Sequence, residues 1–289
     1  DVYKRQALMY AQRGTRVFLG NKTFTGPNPP YGALIYYYLK EKPDKKVKAT
    51  LQIFNEKGEK IREIKFKPEK GLNRVVWDLT YEGYKRRRPE EERPFFIRAP
   101  RGPRVLPGTY EVRLKIGEKE VSRKVEVRID PTVSWTREEL EKQLKVSLEL
   151  RDMISEVNLS LKALDSVEKQ LKSLKENIKE QMKKIPEDVN KKLEDNLKYI
   201  EKLKKELNRE GESRIGTGSR LLEHLRSLYG DIQDPFKAPT PYQLKFLEEL
   251  KEEFKEKMGK VKDYLEKKIP DLNNFLKEKE LPFVLIKTE

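Results

Sequence analysis

The apolar pattern of the chain changes its period at Pro131, and this change constrains the possible fold more than any other feature. Before Pro131, short segments alternate apolar and polar residues between Gly and Pro, which is typical of β-strands. After it, apolar residues recur at steps of three and four, and no glycine occurs before Gly211, which is typical of long helices. The pattern therefore predicts an α+β chain in which an all-β region precedes an all-α region.

Two segments of the β region carry the clearest strand pattern, residues 71–79 and residues 106–114. Their apolar residues alternate onto one face: Val75, Trp77 and Leu79 in the first, and Tyr110, Val112 and Leu114 in the second. Further strands are predicted at residues 33–39, 47–53, 61–66 (with Ile61 out of phase, at a bulge) and 121–129, where Val121, Val125, Val127 and Ile129 share a face. We expect the strands at residues 106–114 and 121–129 to form a hairpin around Gly117. Six strands, or seven with residues 95–97, in about 100 residues indicate an immunoglobulin-like sandwich.

Helix-start signals divide the second half of the chain. The pattern predicts helices that begin near Thr136, Pro186, Leu221 and Thr240, the last of them broken or kinked at Pro270. Thr136 and Glu139 have the spacing of a capping box, and Thr240 with Pro241 reads as an N-cap before an N1 proline. Because the first helix spans about 45 residues and the connections are short, we expect an antiparallel bundle of long helical hairpins. A dimeric coiled coil is the competing arrangement.

The 289 residues are enough for two domains with their own cores. We place an immunoglobulin-like sandwich at residues 26–131 and a helical bundle at residues 132–289. Because the chain begins at Asp1 rather than Met, we interpret it as a fragment and residues 1–25 as the tail of a missing upstream domain.

The positive charge belongs to the β region. Residues 1–131 carry 31 Lys and Arg against 17 Asp and Glu, a net charge of +14, whereas residues 132–289 carry 33 against 32, a net charge of +1. Nearly the whole excess of +15 therefore belongs to the β region.

Several chemistries lack the residues that they need. The chain has no cysteine, which excludes disulfides, thiolate metal sites and cysteine nucleophiles, and no apolar run long enough for a membrane span. The single histidine, His224, lies beside the apolar stripe of its helix, and we interpret it as a packing or edge residue. We therefore predict no metal site and no cofactor.

Two further motifs have plain interpretations. Residues 216–220 read Gly-Thr-Gly-Ser-Arg before a helix, but they lack the preceding strand and the Gly-Lys-Ser/Thr ending of a phosphate-binding loop. We interpret them as an inter-helix connection with Ser219 as the N-cap, and a weak anion site is the alternative. The carboxylates of Asp78 and of residues 90–92 form no recognisable glycosidase pair, so we predict no catalytic residue.

The loop at residues 84–104 is the strongest candidate for binding. Its candidate anion- or partner-binding residues are Arg86, Arg87, Arg88, Arg93 and Arg98, with Phe95 and Phe96 among them. Basic residues interleaved with aromatic ones suit a polyanion or single-stranded nucleic acid. Docking against another domain would use the same residues, with the phenylalanines buried and the arginines paired at the rim. We favour docking or plain solvation over polyanion binding, because no RNA-binding signature strand accompanies the loop and its prolines make it an elongated connection.

Several segments resemble known protein families. Residues 71–79 with residues 106–114 resemble flagellar-hook-capping-type (FlgD-like) immunoglobulin domains, in which a Trp-Asp strand is followed by a Gly-Thr-Tyr strand. The C-terminal region of bacterial sortilin-like, BNR-repeat β-propeller proteins is more similar still, over about residues 17–280. The segments that carry this second resemblance are residues 28–38, 71–79, 102–110, 130–131, 219–221, 228–230 and 238–240.

The resemblance implies a β-propeller upstream in the same polypeptide and an extracytoplasmic (periplasmic or secreted) location. Such proteins are often described as glycosyl hydrolases on the strength of their propeller repeats, but no Ser-x-Asp-x-Gly-x-x-Trp box occurs here, so no catalytic residue is carried across. We expect a non-catalytic region that packs against the propeller, through the apolar run at residues 36–38, and presents or oligomerises it. The alternatives are a polyanion-binding module and part of a glycosyl hydrolase whose active site lies in the propeller.

Overall fold

The structure is a computed structural model of mixed α and β type, with small sheets in the N-terminal half and helices after them. It describes residues 6–9, 30–44, 47–87, 101–131, 134–182, 185–208, 220–233 and 238–285. The expected strand at residues 95–97 lies outside these ranges.

The described strands form two sheets. The strands are β1 (Gln6–Met9), β2 (Ala33–Leu39), β3 (Ala49–Phe54), β4 (Lys60–Phe66), β5 (Gly71–Trp77), β6 (Gly108–Ile116) and β7 (Lys119–Ile129). The five-stranded sheet has the order β1-β7-β6-β3-β4, and β2 pairs with β5 in a two-stranded sheet. The pairing of β1 with β7 is parallel, and the other described pairs are antiparallel.

Strand β1 has no counterpart among the sequence predictions, which place residues 1–25 in a tail. Ala7 and Met9 are buried in the core of the sheets, and Gln6–Met9 pairs in register with Glu126–Ile129 of β7. A segment of four residues is too short to show a strand period, so this strand depends on its partner.

The two sheets share one apolar core. Trp77 of β5 is fully buried in the same cluster as Leu51 and Ile53 of β3 and Val112 of β6. Because neighbouring residues of a strand point to opposite faces, the predicted alternation of these strands is what directs their apolar side chains inward. The predicted inward faces of β5 and β6 are confirmed.

Two irregularities predicted for the strands are confirmed. Ile53 pairs with Arg62 and Phe54 pairs with Lys60, so Ile61 is the extra residue of a bulge. Gly117 occupies the first position of the two-residue turn between β6 and β7, with a φ of 60° that favours glycine.

One predicted face is only partly buried. Val121 was expected to share a buried face of β7 with Val127, and Val127 is indeed buried. Val121, however, is 53% exposed. The reason is that β1 pairs only with Glu126–Ile129 and leaves the beginning of β7 at the edge of the sheet.

The helices follow the predicted order. They are α1 (Arg137–Met182), α2 (Glu187–Leu207), α3 (Leu221–Ile232), α4 (Pro241–Asp263) and α5 (Ile269–Glu278), with one π-helical turn, Tyr264–Lys268, between α4 and α5. Both capping boxes are present, at Thr136 with Glu139 and at Thr240 with Gln243. Pro270 lies in the first turn of α5, where its missing N–H is tolerated, and the π-helical turn precedes it.

The chain divides into two compact units. The first comprises residues 1–83, 99–148 and 232–239, and the second comprises residues 84–98, 149–231 and 240–289. Residues 137–148 of α1 therefore belong to the first unit, which contains the sheets, and the remaining residues of α1 belong to the second unit.

Within the second unit, α2 runs back along α1. Lys175 of α1 lies 2.8 Å from Glu194 near the start of α2, and Asp165, further back along α1, lies 2.8 Å from Lys204 near the end of α2. These two pairs place the helices antiparallel.

Candidate functional site

The start of the basic loop lies against α1 in the second unit. The backbone N–H of Lys85 donates to Ser155 Oγ at 3.0 Å, and Asn158 Nδ2 donates to the Lys85 carbonyl at 2.8 Å. Ser155 Oγ in turn donates to the Arg151 carbonyl one turn earlier in α1. Both backbone groups of Lys85 are thus satisfied by side chains of one helix.

Arg87 forms a bidentate ion pair with Asp165 of α1. Its Nε and Nη2 donate to the two carboxylate oxygens of Asp165 at 2.5 and 2.6 Å. The Arg87 side chain is only 13% exposed. Two parallel charge-assisted hydrogen bonds fix orientation as well as distance, so this pair holds the loop in one register on α1.

Asp165 also binds Lys204 of α2, which reaches Glu168 at 2.7 Å as well. Burial opposes the ionisation of Asp165, but the hydrogen bonds from Arg87 and Lys204 outweigh it and hold the pKa of this carboxyl below its ordinary value. The carboxylate is therefore ionised at neutral pH and joins two cations from different segments.

A buried amide completes the docking of the loop. Asn158 is fully buried, and its Oδ1 accepts from Arg226 Nη2 of α3 at 3.2 Å while its Nδ2 binds the loop. The ring of Tyr84 meets Tyr229 of α3 edge-on, with centroids 5.8 Å apart, and the Arg226 guanidinium lies over Tyr84 at 6.0 Å. The loop start is thus held by both α1 and α3.

The structure describes two of the five arginines that the sequence singled out. Arg86 is half-buried and Arg87 is paired as above. Arg88, Arg93 and Arg98 lie outside the described residues, as do both loop phenylalanines. Sequence reasoning found the loop but not its partners, because Asp165 and Asn158 are ordinary polar positions in a long helix.

The other candidate residues contact neighbours within the fold. His224 is half-buried and meets the ring of Phe246 edge-on at 5.9 Å. Asp78 accepts a hydrogen bond from Thr80 Oγ1 at 2.6 Å, two residues along the chain. In the part of the chain that the structure describes, no three acidic or histidine side chains converge as metal ligands. Residues 90–92 and 216–219 lie outside that part.

An exposed apolar surface lies on the outer side of the two-stranded sheet. We name it the tyrosine face; its members are Leu34, Tyr36, Tyr38 and Leu72. Tyr36, Tyr38 and Leu72 are 56%, 65% and 74% exposed, and Tyr38 lies directly opposite Leu72 in the pairing of β2 with β5. Arg74 lies opposite Tyr36 on the same face. Large exposed apolar side chains gathered on one face are typical of an interaction surface.

None of the described helices combines the length and apolar character that a membrane span requires. In comparisons with known proteins, no family model, no curated protein and no solved structure matches the chain. The assignment of a function therefore depends on the surfaces described above.

Proposed function

We propose that this chain is a non-catalytic structural and interaction region that binds another folded domain through the tyrosine face. The observation that carries the proposal is the exposure of Tyr36, Tyr38 and Leu72 together on one side of a two-stranded sheet. Tyrosine and arginine are enriched at protein interfaces, because each combines a large contact area with hydrogen-bonding groups. Arg74, beside Tyr36, adds to this composition.

The proposed architecture is an immunoglobulin-like sandwich followed by an antiparallel helical bundle. Its first support is the core shared by the two sheets. Its second is Tyr110 Oη, which donates to the Leu106 carbonyl at 2.7 Å, as the tyrosine corner of immunoglobulin-like sandwiches does. The ion pairs between α1 and α2 within one chain favour the bundle over a dimeric coiled coil.

The partner that we propose is a β-propeller located upstream in the same polypeptide, in an extracytoplasmic protein. This part of the proposal rests on the resemblance of residues 28–38, 71–79 and 102–110 to sortilin-like, BNR-repeat proteins. Polyanion binding by the basic loop has less support, because the guanidinium of Arg87 is already neutralised by Asp165.

Hydrogen exchange in a longer polypeptide, which includes the residues encoded upstream of this chain, tests the proposal. With the upstream reading frame recovered, the longer chain and the present one are compared at residues 33–39 and 71–77. We expect slower exchange in the longer chain, and we expect Tyr36→Ser with Leu72→Ser to cancel the difference. Tyr242→Ser, which changes an exposed tyrosine of α4 in the other unit, is the matched control.

Equal exchange of these two strands in both chains would contradict the proposal, as would an upstream frame without a propeller. Sedimentation of the present chain over a range of concentrations tests whether a second copy of the chain occupies the tyrosine face. A dimer that dissociates on Leu72→Ser would identify a second copy as the partner of the tyrosine face.

A further inference from the structure

Among the described residues, strand β7 has an open edge along its first seven positions. Its partner β6 pairs along its whole length on one side, whereas β1 pairs only with Glu126–Ile129 on the other. In the described part of the chain, no strand lies beside residues 119–125 on that side. An open edge presents unpaired N–H and C=O groups, which are a template for another strand.

An apolar groove lies next to this edge, between β2 of the small sheet and the inner faces of β6 and β7. Its volume is about 390 Å³. Residues 35–39 of β2 form one wall, and Leu114 of β6 with Val121 and Val125 of β7 form the floor. We name it the β7 groove. The exposure of Val121 thus belongs to a concave surface and not to a protruding one.

Two cations line the same groove. Lys119 and Arg123 alternate with Val121 and Val125 along β7, so that all four side chains point to the groove. Among the described residues, Arg123 donates one hydrogen bond, to the Ser122 carbonyl at 2.8 Å, and neither cation is paired with a carboxylate. The groove therefore combines an apolar floor with a repeating, uncompensated positive charge.

We propose that the β7 groove binds an extended acidic segment of a partner protein, which adds to β7 as a strand. Its apolar side chains lie opposite Val121 and Val125, and its acidic side chains lie opposite Lys119 and Arg123. Backbone hydrogen bonds to a sheet edge supply affinity in this binding mode, and the alternating side chains supply specificity. The new strand continues the edge that β1 already covers at residues 126–129.

The charge pattern also decides against a second copy of the chain as the occupant. Edge-to-edge pairing of two β7 strands would bring their cations together, and like charges on neighbouring strands are destabilising. Inward-pointing charges on an edge strand are a known protection against such self-pairing. The same two cations that repel a copy attract a strand with acidic residues at alternate positions.

The groove adjoins the tyrosine face, because Tyr36 and Tyr38 line both. Each surface also has residues of its own, so the two proposals can fail separately. Leu72 belongs to the tyrosine face and does not line the groove, whereas Arg123 lines the groove and does not belong to that face. Leu72→Ser is expected to weaken domain binding and to leave peptide binding unchanged. Arg123→Glu is expected to do the reverse.

Fluorescence anisotropy with two labelled peptides tests the inference on the full chain. The probe is Glu-Thr-Val-Thr-Glu-Thr-Val-Thr-Glu, which reads the same in both directions, and the comparison peptide has Lys in place of each Glu. At about 50 mM salt, where charges are little screened, we expect the acidic peptide to bind roughly tenfold more tightly than the basic one. Lys119→Glu with Arg123→Glu is expected to reverse this preference.

Lys124→Glu is the matched control, because Lys124 lies on the same strand but on the opposite face. It is expected to leave the preference for the acidic peptide in place, and circular dichroism shows that each variant is folded. Absence of binding by the acidic peptide, equal affinity for both peptides, or a reversal by Lys124→Glu would each overturn the inference. The first outcome would leave Lys119 and Arg123 as edge protection alone.

Discussion

The ring of Tyr110 meets the ring of Trp77 nearly edge-on, with centroids 5.2 Å apart and planes inclined by 64°. The two residues come from different sheets, β6 of the five-stranded sheet and β5 of the two-stranded one. Trp77 Nε1 donates to the Thr80 carbonyl at 3.1 Å, and Tyr110 Oη donates to the Leu106 carbonyl. Because both polar atoms have partners, two large rings are buried together without an unsatisfied group.

The first prediction concerns Trp77. Trp77→Phe removes buried volume and leaves the Thr80 carbonyl without its donor, so we expect the free energy of unfolding to fall by about 2 kcal/mol or more. Chemical unfolding followed by circular dichroism measures the change. Leu72→Ala, in the exposed tyrosine face, is the control and is expected to stay within about 0.5 kcal/mol of the parent chain. Similar losses for both variants would argue against a core centred on Trp77.

The second prediction concerns alkaline pH. Burial raises the pKa of the Tyr110 phenol, whereas in the unfolded chain the phenol titrates near pH ~10. The folded state therefore keeps this proton to higher pH. The contribution of Tyr110 to the free energy of unfolding is present below pH ~10 and is lost as the pH rises further. At pH ~7, Tyr110→Phe is expected to be about 1 kcal/mol less stable than the parent, through loss of the bond to Leu106.

The difference in stability between Tyr110→Phe and the parent chain is expected to narrow as the pH rises towards ~11, because the variant has no phenol to ionise at this position. Unfolding curves at a series of pH values measure it. Tyr38→Phe, on the exposed tyrosine face, serves as the control and is expected to follow the parent chain throughout. A deficit that is constant with pH would contradict the assignment.

The third prediction concerns the pair of Arg87 with Asp165. Asp165→Asn removes the charge that binds the guanidinium, so we expect the amide of Lys85 to exchange its hydrogen roughly tenfold faster. Asp152→Asn, at an exposed position of the same helix, is the control and is expected to leave this amide unchanged. Unchanged exchange in Asp165→Asn would mean that Ser155 and Asn158 hold the loop without the ion pair.

The same pair predicts a dependence on acid. Because the pKa of Asp165 is held below its ordinary value, its stabilising contribution is present above pH ~4 and is lost as the pH falls further. Acid titration of exchange at Lys85 is expected to show protection disappearing below pH ~4 in the parent chain. In Asp165→Asn this step is expected to be absent, and its persistence there would assign it to another carboxyl.

The fourth prediction compares two glycines with positive φ. A Cβ at Gly32 would lie 2.1 Å from the Trp77 carbonyl oxygen, whereas a Cβ at Gly58 would have no neighbour within 4 Å. Gly58→Ala is expected to cost about 1 kcal/mol through backbone strain, and Gly32→Ala at least ~3 kcal/mol, because strand β5 must also move. Thermal unfolding of the two variants measures the difference. Equal losses would show that β2 is free to shift away from β5.

Local patterns account for most elements of this chain. The caps at Thr136 and Thr240 and the turn at Gly117 are correctly predicted because each depends on residues within one turn of the chain. The alternation that buries Trp77 and Tyr110 is likewise legible over a few residues. The period of apolar residues therefore suffices to locate strands and helices, although not to show how they meet.

Tertiary structure decides the features that join distant segments. Arg87 and Asp165 are 78 positions apart, and nothing near either residue indicates the other. Strand β1 and the open edge of β7 have the same origin, since four residues at one end of the chain cover only four positions of a strand more than a hundred residues away. Periodicity and capping arise from neighbours in sequence, whereas sheet edges, grooves and ion pairs arise from loop closure, which leaves no local signal.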